Sequence, residues 1–219
     1  MPARVRQTKA TKVRATEFGK ASRTAAAIRE QMAGLIPFPT DNQMQTRLLT
    51  AVFQWLKESG NSGQQRIDNL DLIRDFRFTA AHPVQTRWKI EPRISIADGN
   101  VLQIELPEFV PAQSIRAPAG TNSVELRLSA AACDPGEREL AGGDSMQLLF
   151  DYNKKPVPAQ TLSLKFPMPK GSLVVLGASL QYTLIKNGRP QLNANKAFMP
   201  AGMLEAFYIP ADGDQAAGA

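Results

Sequence analysis

One cysteine and one histidine in 219 residues leave little of the usual catalytic or metal-binding chemistry. Cys133 alone cannot close an intramolecular disulfide, and it says nothing about redox compartment. Cys133 and His82 together cannot supply the four ligands of a zinc site. A nucleophile–base pair from the two is chemically conceivable. However, His82 precedes Pro83 in a loop-like Ala-Ala-His-Pro stretch, and Cys133 reads as a small buried thiol near a strand end. Phosphate-binding loops are missing as well: Gly19-Lys20 lacks the upstream glycine of a P-loop and follows no strand. Aromatics make up only 7% of the chain, so a carbohydrate site would have to use Trp88, Tyr152, Tyr182 or Tyr208. Strand alternation places most of these inside. No run approaches the roughly 18 apolar residues of a membrane span, and no apolar block follows the basic start as in a secretory signal. The expectation is a cytoplasmic, non-catalytic protein with no cofactor, no metal and no membrane attachment. Carboxylate-only cation sites lack a compelling cluster. Asp68, Asp71 and Asp75 would share one helical face, which reads as the solvated side of an amphipathic segment.

Charge is present but unevenly distributed. Arg4, Arg6, Lys9, Lys12, Arg14, Lys20, Arg23 and Arg29 face only Glu17 and Glu30 in the first thirty residues, which therefore carry the whole net charge of +6. The rest of the chain holds 18 of the 26 basic and 18 of the 20 acidic residues and is neutral. The high pI thus describes an N-terminal segment, which attracts polyanions or acidic surfaces through long-range Coulomb forces.

Hydrophobic spacing divides the chain in two. Thr16 is the expected N-cap of a helix running to about Ala33, with Gly34 as breaker. Its stripe is Phe18, Ala21, Ala25, Ile28 and Met32. After the Pro-rich link Ile36-Pro-Phe-Pro39, Thr40 or Asp41 caps a second helix to about Lys57, striped by Met44, Leu48, Val52 and Trp55. Two helices this short cannot stand alone on each other's stripes. From about Phe76 the period shortens to two, with strands expected from Trp88 to Ile96, Leu102 to Leu106, Val124 to Ala130, Met146 to Tyr152, Thr161 to Phe166, Leu173 to Leu176, Leu180 to Ile185 and Leu204 to Ile209. Asp98-Gly99 and Asn187-Gly188 mark tight hairpins, and Asp134-Pro135-Gly136 marks a type II turn. No strand–helix–strand alternation calls for a parallel sheet. The expected fold is mainly β, an antiparallel sandwich of Ig-like or jelly-roll-like type with about eight strands, preceded by a two-helix arm. The expected divisions are 1–58 for the arm, 59–75 for a flexible linker and short amphipathic segment, 76–210 for the sandwich and 211–219 for a flexible tail.

Two partner readings follow. In the first, the helical stripes dock on a neighbouring copy through Phe18, Ile28, Met32, Met44, Leu48, Val52 and Trp55, building a homo-oligomer, filament or shell. In the second, Arg4, Arg6, Lys9, Lys12, Arg14, Lys20 and Arg23 grip the phosphates of a nucleic acid or another polyanion. That contact would carry no sequence specificity, and Phe18 is the segment's only aromatic for stacking. The segments Arg6-Gln-Thr-Lys-Ala-Thr-Lys12, Phe18-Gly-Lys-Ala-Ser22, Ile28-Arg29, Ile115-Arg-Ala-Pro-Ala-Gly-Thr121 and Leu204-Glu-Ala-Phe207 resemble a group of uncharacterised bacterial proteins with a basic start and a β-rich body. The resemblance implies a bacterial protein and no particular activity.

Overall fold

The computed structural model describes residues 9–36, 43–59, 63–80 and 83–212. Arg4, Arg6, His82 and the expected caps Thr40 and Asp41 lie outside these residues. For Lys9, Lys12 and Arg14 only the backbone is described.

The described chain is β-rich and antiparallel throughout, with its long helices at the N-terminal end. Helix α1 runs Lys9–Gln31 and ends in a 3₁₀ turn, Met32–Gly34. Helix α2 spans Met44–Ser59, and the short helices α3 (Gly63–Asp68), α4 (Asp71–Arg74), α5 (Val84–Arg87) and α6 (Pro111–Ser114) follow between it and the sheets. Strands β1 (Arg93–Ala97), β2 (Val101–Leu106) and β5 (Gln160–Lys165) form a three-stranded sheet in the order β1-β2-β5. A five-stranded sheet has β3 (Thr121–Cys133) between β4 (Leu140–Asp151) and β6 (Leu173–Lys186). The far edge of β6 is shared: β8 (Ala201–Tyr208) pairs with its first half and β7 (Arg189–Leu192) with its last residues.

Small and apolar residues without alternation make the centre of this sheet two-sided. Ala130, Ala132, Val174 and Leu176 join one core with Leu102, Ile104 and Leu164 of the three-stranded sheet. Their neighbours Ala131, Cys133, Leu173 and Val175 point the other way, into a core completed by the helices. Ile28, Met32, Met44, Leu48, Val52 and Trp55 are at most 1% exposed in that second core. Each such side chain contributes about 1.5–3 kcal/mol by leaving water. Six of the seven stripe residues expected to meet another copy are therefore consumed within the chain. Within the expected arm, helices α1 and α2 form one layer of the folded body, because their apolar faces and the outer face of β3 and β6 complete one another.

Specific polar contacts fix this layer. In the Asp134-Pro135-Gly136 turn Glu137 N donates to Asp134 O at 3.0 Å, and Gly136 has the positive φ of 109° that a type II turn requires at its third residue. Gly136 N donates to Thr24 Oγ1 at 2.8 Å, while Gly136 O accepts from Arg23 Nε at 2.5 Å. At the other end of α1, Ser129 Oγ donates to Gln31 O at 3.1 Å and Arg127 Nη1 to Gly34 O at 3.3 Å, satisfying helix-terminal carbonyls. The close approach depends on glycine: a Cβ at Gly143 would lie 2.8 Å from Gln31 Cδ and 3.0 Å from Ala130 O.

Other boundaries differ from those expected. Helix α1 begins at least seven residues before Thr16, since Lys9 to Ala15 contains good helix formers and no breaker. The expected linker contains α3 and α4, with Leu70 between them and Ile73 of α4 buried beneath β8. Arg74 pairs with Glu205 and donates to Ala206 O at 3.1 Å. The strand expected from Trp88 starts only at Arg93, after Pro92. Trp88 itself makes an isolated bridge to Ile115. The two strands expected around Gly177 are one continuous β6. The tail is described only to Asp212, which pairs with Lys170.

Candidate functional site

Helix α1 and its 3₁₀ turn stop above Gly177, where a Cβ would strike Leu35 Cδ1 at 2.8 Å and Met32 Sδ at 2.9 Å. Beyond that point the same face of the sheet is not covered by helix. It opens into a cleft of about 340 Å³ with Arg127, Ser179 and Gln181 on its floor, Leu35 and Ile36 on one wall, and Leu192, Asn193 and Met199 on the other. Register explains the floor, since Arg127 lies directly opposite Ser179 and Glu125 opposite Gln181 in the β3–β6 pairing. The second wall exists because β6 changes partners here. Its edge passes from β8 to β7 across Leu180 N to Pro200 O at 3.1 Å and Asn193 N to Tyr182 O at 2.8 Å. The intervening 193–200 segment is held from below: Arg87 stacks 4.5 Å over the Phe198 ring and donates to Ala197 O at 3.1 Å.

The cleft holds polar groups without partners. Ser179 is 3% and Asn193 8% exposed, yet Ser179 Oγ and Asn193 Nδ2 have no hydrogen-bond partner among the described residues. Leaving such groups unpaired costs about 1–3 kcal/mol each. Arg127 is engaged twice, with Nε donating to Glu125 Oε1 at 2.8 Å and Nη1 to Gly34 O at 3.3 Å. Nothing in the sequence marked these residues, because three separated segments supply them and no motif links them.

The basic residues have mixed fates. Arg23 is exposed, and its Nε donates to Gly136 O at 2.5 Å, so part of its guanidinium is committed within the chain. Lys20 is exposed, and its methylenes pack along Gly136, where an added Cβ would meet Lys20 Cγ at 3.1 Å. It lines a second cleft of about 220 Å³ with Glu17, Lys57, Arg66 and Phe53. Arg66 lies 5.1 Å from the Tyr208 ring centre and donates to Tyr208 Oη at 2.6 Å. Its buried Nε has no hydrogen-bond partner among the described residues. Phe18 is 52% exposed although it meets Phe53 edge-on. It alone of the seven stripe residues remains accessible.

The search for chemistry yields little among the described residues. No group of three His, Cys, Asp or Glu side chains is placed to hold a metal, and no helix is long and apolar enough to cross a membrane. Trp88, Tyr182 and Tyr208 are at most 5% exposed. Tyr152 is half-buried, with its hydroxyl on Ile115 O at 3.0 Å. The stacking surface that a carbohydrate would need is therefore absent from these residues. Burial also raises the Tyr182 hydroxyl, partly offset by Arg87.

Cys133 is fully buried, with its thiol 3.5 Å from Leu173 O. Burial, reinforced by Asp134, pushes its pKa from 9.0 up to about 12. The thiolate is the reactive species, so native Cys133 is expected to react with iodoacetamide about a thousandfold more slowly than in urea. Alkylation timed by mass spectrometry checks this, and comparable rates would contradict it. Because the folded pKa is raised, the protonated thiol's stabilisation is complete below pH 9.0 and is lost as pH rises towards about 12. Denaturation midpoints should accordingly fall above pH 9.0, and less steeply in Cys133→Ala.

No protein-family model matches the chain, and no curated protein does either. Among solved structures, 55% of the chain aligns with 13% of a glycosyl hydrolase family 2 member from Bacteroides cellulosilyticus, at 10% identity and a TM-score of 0.28. A protein from Archaeoglobus fulgidus aligns over 54% of this chain and 94% of its own, at 5% identity and a TM-score of 0.26. The chain thus spans only 13% of the length of that hydrolase, and TM-scores this low carry no argument about activity.

Proposed function

We propose that this chain is a non-catalytic binding module that engages the phosphates of a nucleic acid through the basic side of its helical layer. The observation that carries the reading is the cationic cleft beside α1, where Lys20, Lys57 and Arg66 converge against one acid, Glu17. It lies next to the helix whose first turns hold Lys9, Lys12 and Arg14. Residues 15–18 and Lys20 of α1 are exposed and Ala21 is buried, so Lys20 stands where the described part of the helix passes from solvent to core. Such a contact is electrostatic and indifferent to base sequence.

Anisotropy titrations with a short fluorescein-labelled DNA duplex at several salt concentrations test this. Six neutralised phosphates give a log–log slope of about −5. Alanine at Arg4, Arg6, Lys9, Lys12 and Arg14 is expected to abolish binding. The pair Lys20→Glu and Lys57→Glu is expected to weaken it by about tenfold or more. Affinity that ignores both sets, or that is flat in salt, would reject the proposal.

Self-association is a second reading, now resting on other residues. Leu149, Leu192 and Ile185 are 71%, 60% and 45% exposed. Register places all three on the helix-side face of the sheet, beyond the reach of the helices. Light scattering of wild type against Leu149→Lys with Leu192→Lys checks it. A wild-type oligomer that the substitutions dissociate is expected, and a monomeric wild type would end this reading.

A further inference from the structure

The cleft at the end of α1 lies away from the basic cleft, and its chemistry is different. It is mainly apolar in its walls, through Leu35, Ile36, Leu192 and Met199, and donor-rich on its floor and rim. Asn193 Oδ1 already accepts from Asn195 N at 3.3 Å, which orients the amide so that Nδ2 is the atom left over. The Ser179 hydroxyl can donate as well as accept. It sits directly opposite Arg127 in the strand register, so a guanidinium and a hydroxyl share one patch of floor. Glu125 balances that guanidinium, and the floor is not strongly cationic. A ligand that fills the cleft without accepting from these donors would leave them unpaired and forgo their hydrogen bonds. The occupant must therefore carry an acceptor at one end and an apolar body behind it. At about 340 Å³ the space falls within the range of small-molecule pockets, about 300–1,000 Å³.

We propose that this cleft binds a small monocarboxylate with an aliphatic tail, its oxygens taken by Ser179 Oγ–H, Asn193 Nδ2–H and Arg127 and its tail lying between Leu35 and Leu192. A carboxylate accepts at two oxygens in several directions, which suits donors arriving from two strands and a loop. A phosphate would demand more positive charge than one guanidinium already paired with Glu125 provides.

Calorimetric titration of the full chain with three probes tests the proposal. Octanoate offers head and tail, acetate the head alone, and 1-octanol the tail with a neutral head. Octanoate is expected to bind saturably at one site, about tenfold or more tighter than either fragment. Ser179→Ala and Asn193→Leu should each weaken octanoate by about fivefold or more while leaving octanol unchanged. Ser179→Ala removes an unpaired buried hydroxyl, so the free variant should melt no lower than wild type. That result separates lost binding from lost folding. Absence of saturable octanoate binding, octanol binding as tightly as octanoate, or full octanoate affinity in both variants would each overturn the proposal.

Discussion

Two strands with apolar side chains on both faces set the terms for the rest of this molecule. Over Ala130–Cys133 and Leu173–Leu176, β3 and β6 carry no polar face, so the sheet they centre must be covered twice. The three-stranded sheet covers one side and α1 with α2 the other. A helix layer supplying Trp55, Ile28, Met32, Met44 and Leu48, five of the twelve largest fully buried side chains, cannot lift away without exposing the sheet beneath. At about 25 cal/mol per Å² of apolar surface, such exposure exceeds what a surface ion pair or a single hydrogen bond restores. The N-terminal helices are thereby committed within the chain, and any partner must use what they leave over.

What they leave over is divided along α1. At about 1.5 Å of rise per residue, its 23 residues span roughly 35 Å. Its beginning carries the basic stretch and, midway, the cleft of Lys20, Lys57 and Arg66. Its end stops short of the sheet's far half and leaves the apolar, donor-lined cleft there. The same packing decision creates both: the helix is pinned at Thr24 and Arg23 by the β3–β4 turn and at Gln31 and Gly34 by β3. Neither cleft depends on the other for its chemistry. One gathers three cations beside Phe53 and Leu56, and the other gathers apolar walls around a single guanidinium paired with Glu125.

Features governed by local chemistry could be read from the amino-acid order. Asp98-Gly99 and Asn187-Gly188 adopt positive φ at both residues, as two-residue hairpins of this kind require. The stripe Met44, Leu48, Val52 and Trp55 is the buried face of α2. Features governed by distant contacts could not. A helical stripe states that a face will be buried but not against what, so its destination was misassigned to a second molecule. Gly177 reads as a break between strands, whereas it is small because Leu35 and Met32 press on it. The Gly-Asn-Ser-Gly composition near residue 60 outweighed Leu70 and Ile73, which in fact signal helices under β8. Ser179, Asn193 and Arg127 show nothing singly; only the β3–β6 register and the strand exchange at Leu180 bring them together.

The claim beneath all of this is that the helical layer and the sheets fold as one cooperative body. The two tryptophans occupy opposite cores, Trp55 under the helices and Trp88 against the three-stranded sheet. Urea unfolding followed by fluorescence in Trp88→Phe reports the first core, and in Trp55→Phe the second. Once each midpoint is referred to the same variant's loss of circular dichroism, the two curves should superimpose in single transitions. A Trp55 signal lost at clearly lower urea than the circular dichroism of the sheets would show a detachable arm, and would contradict the account.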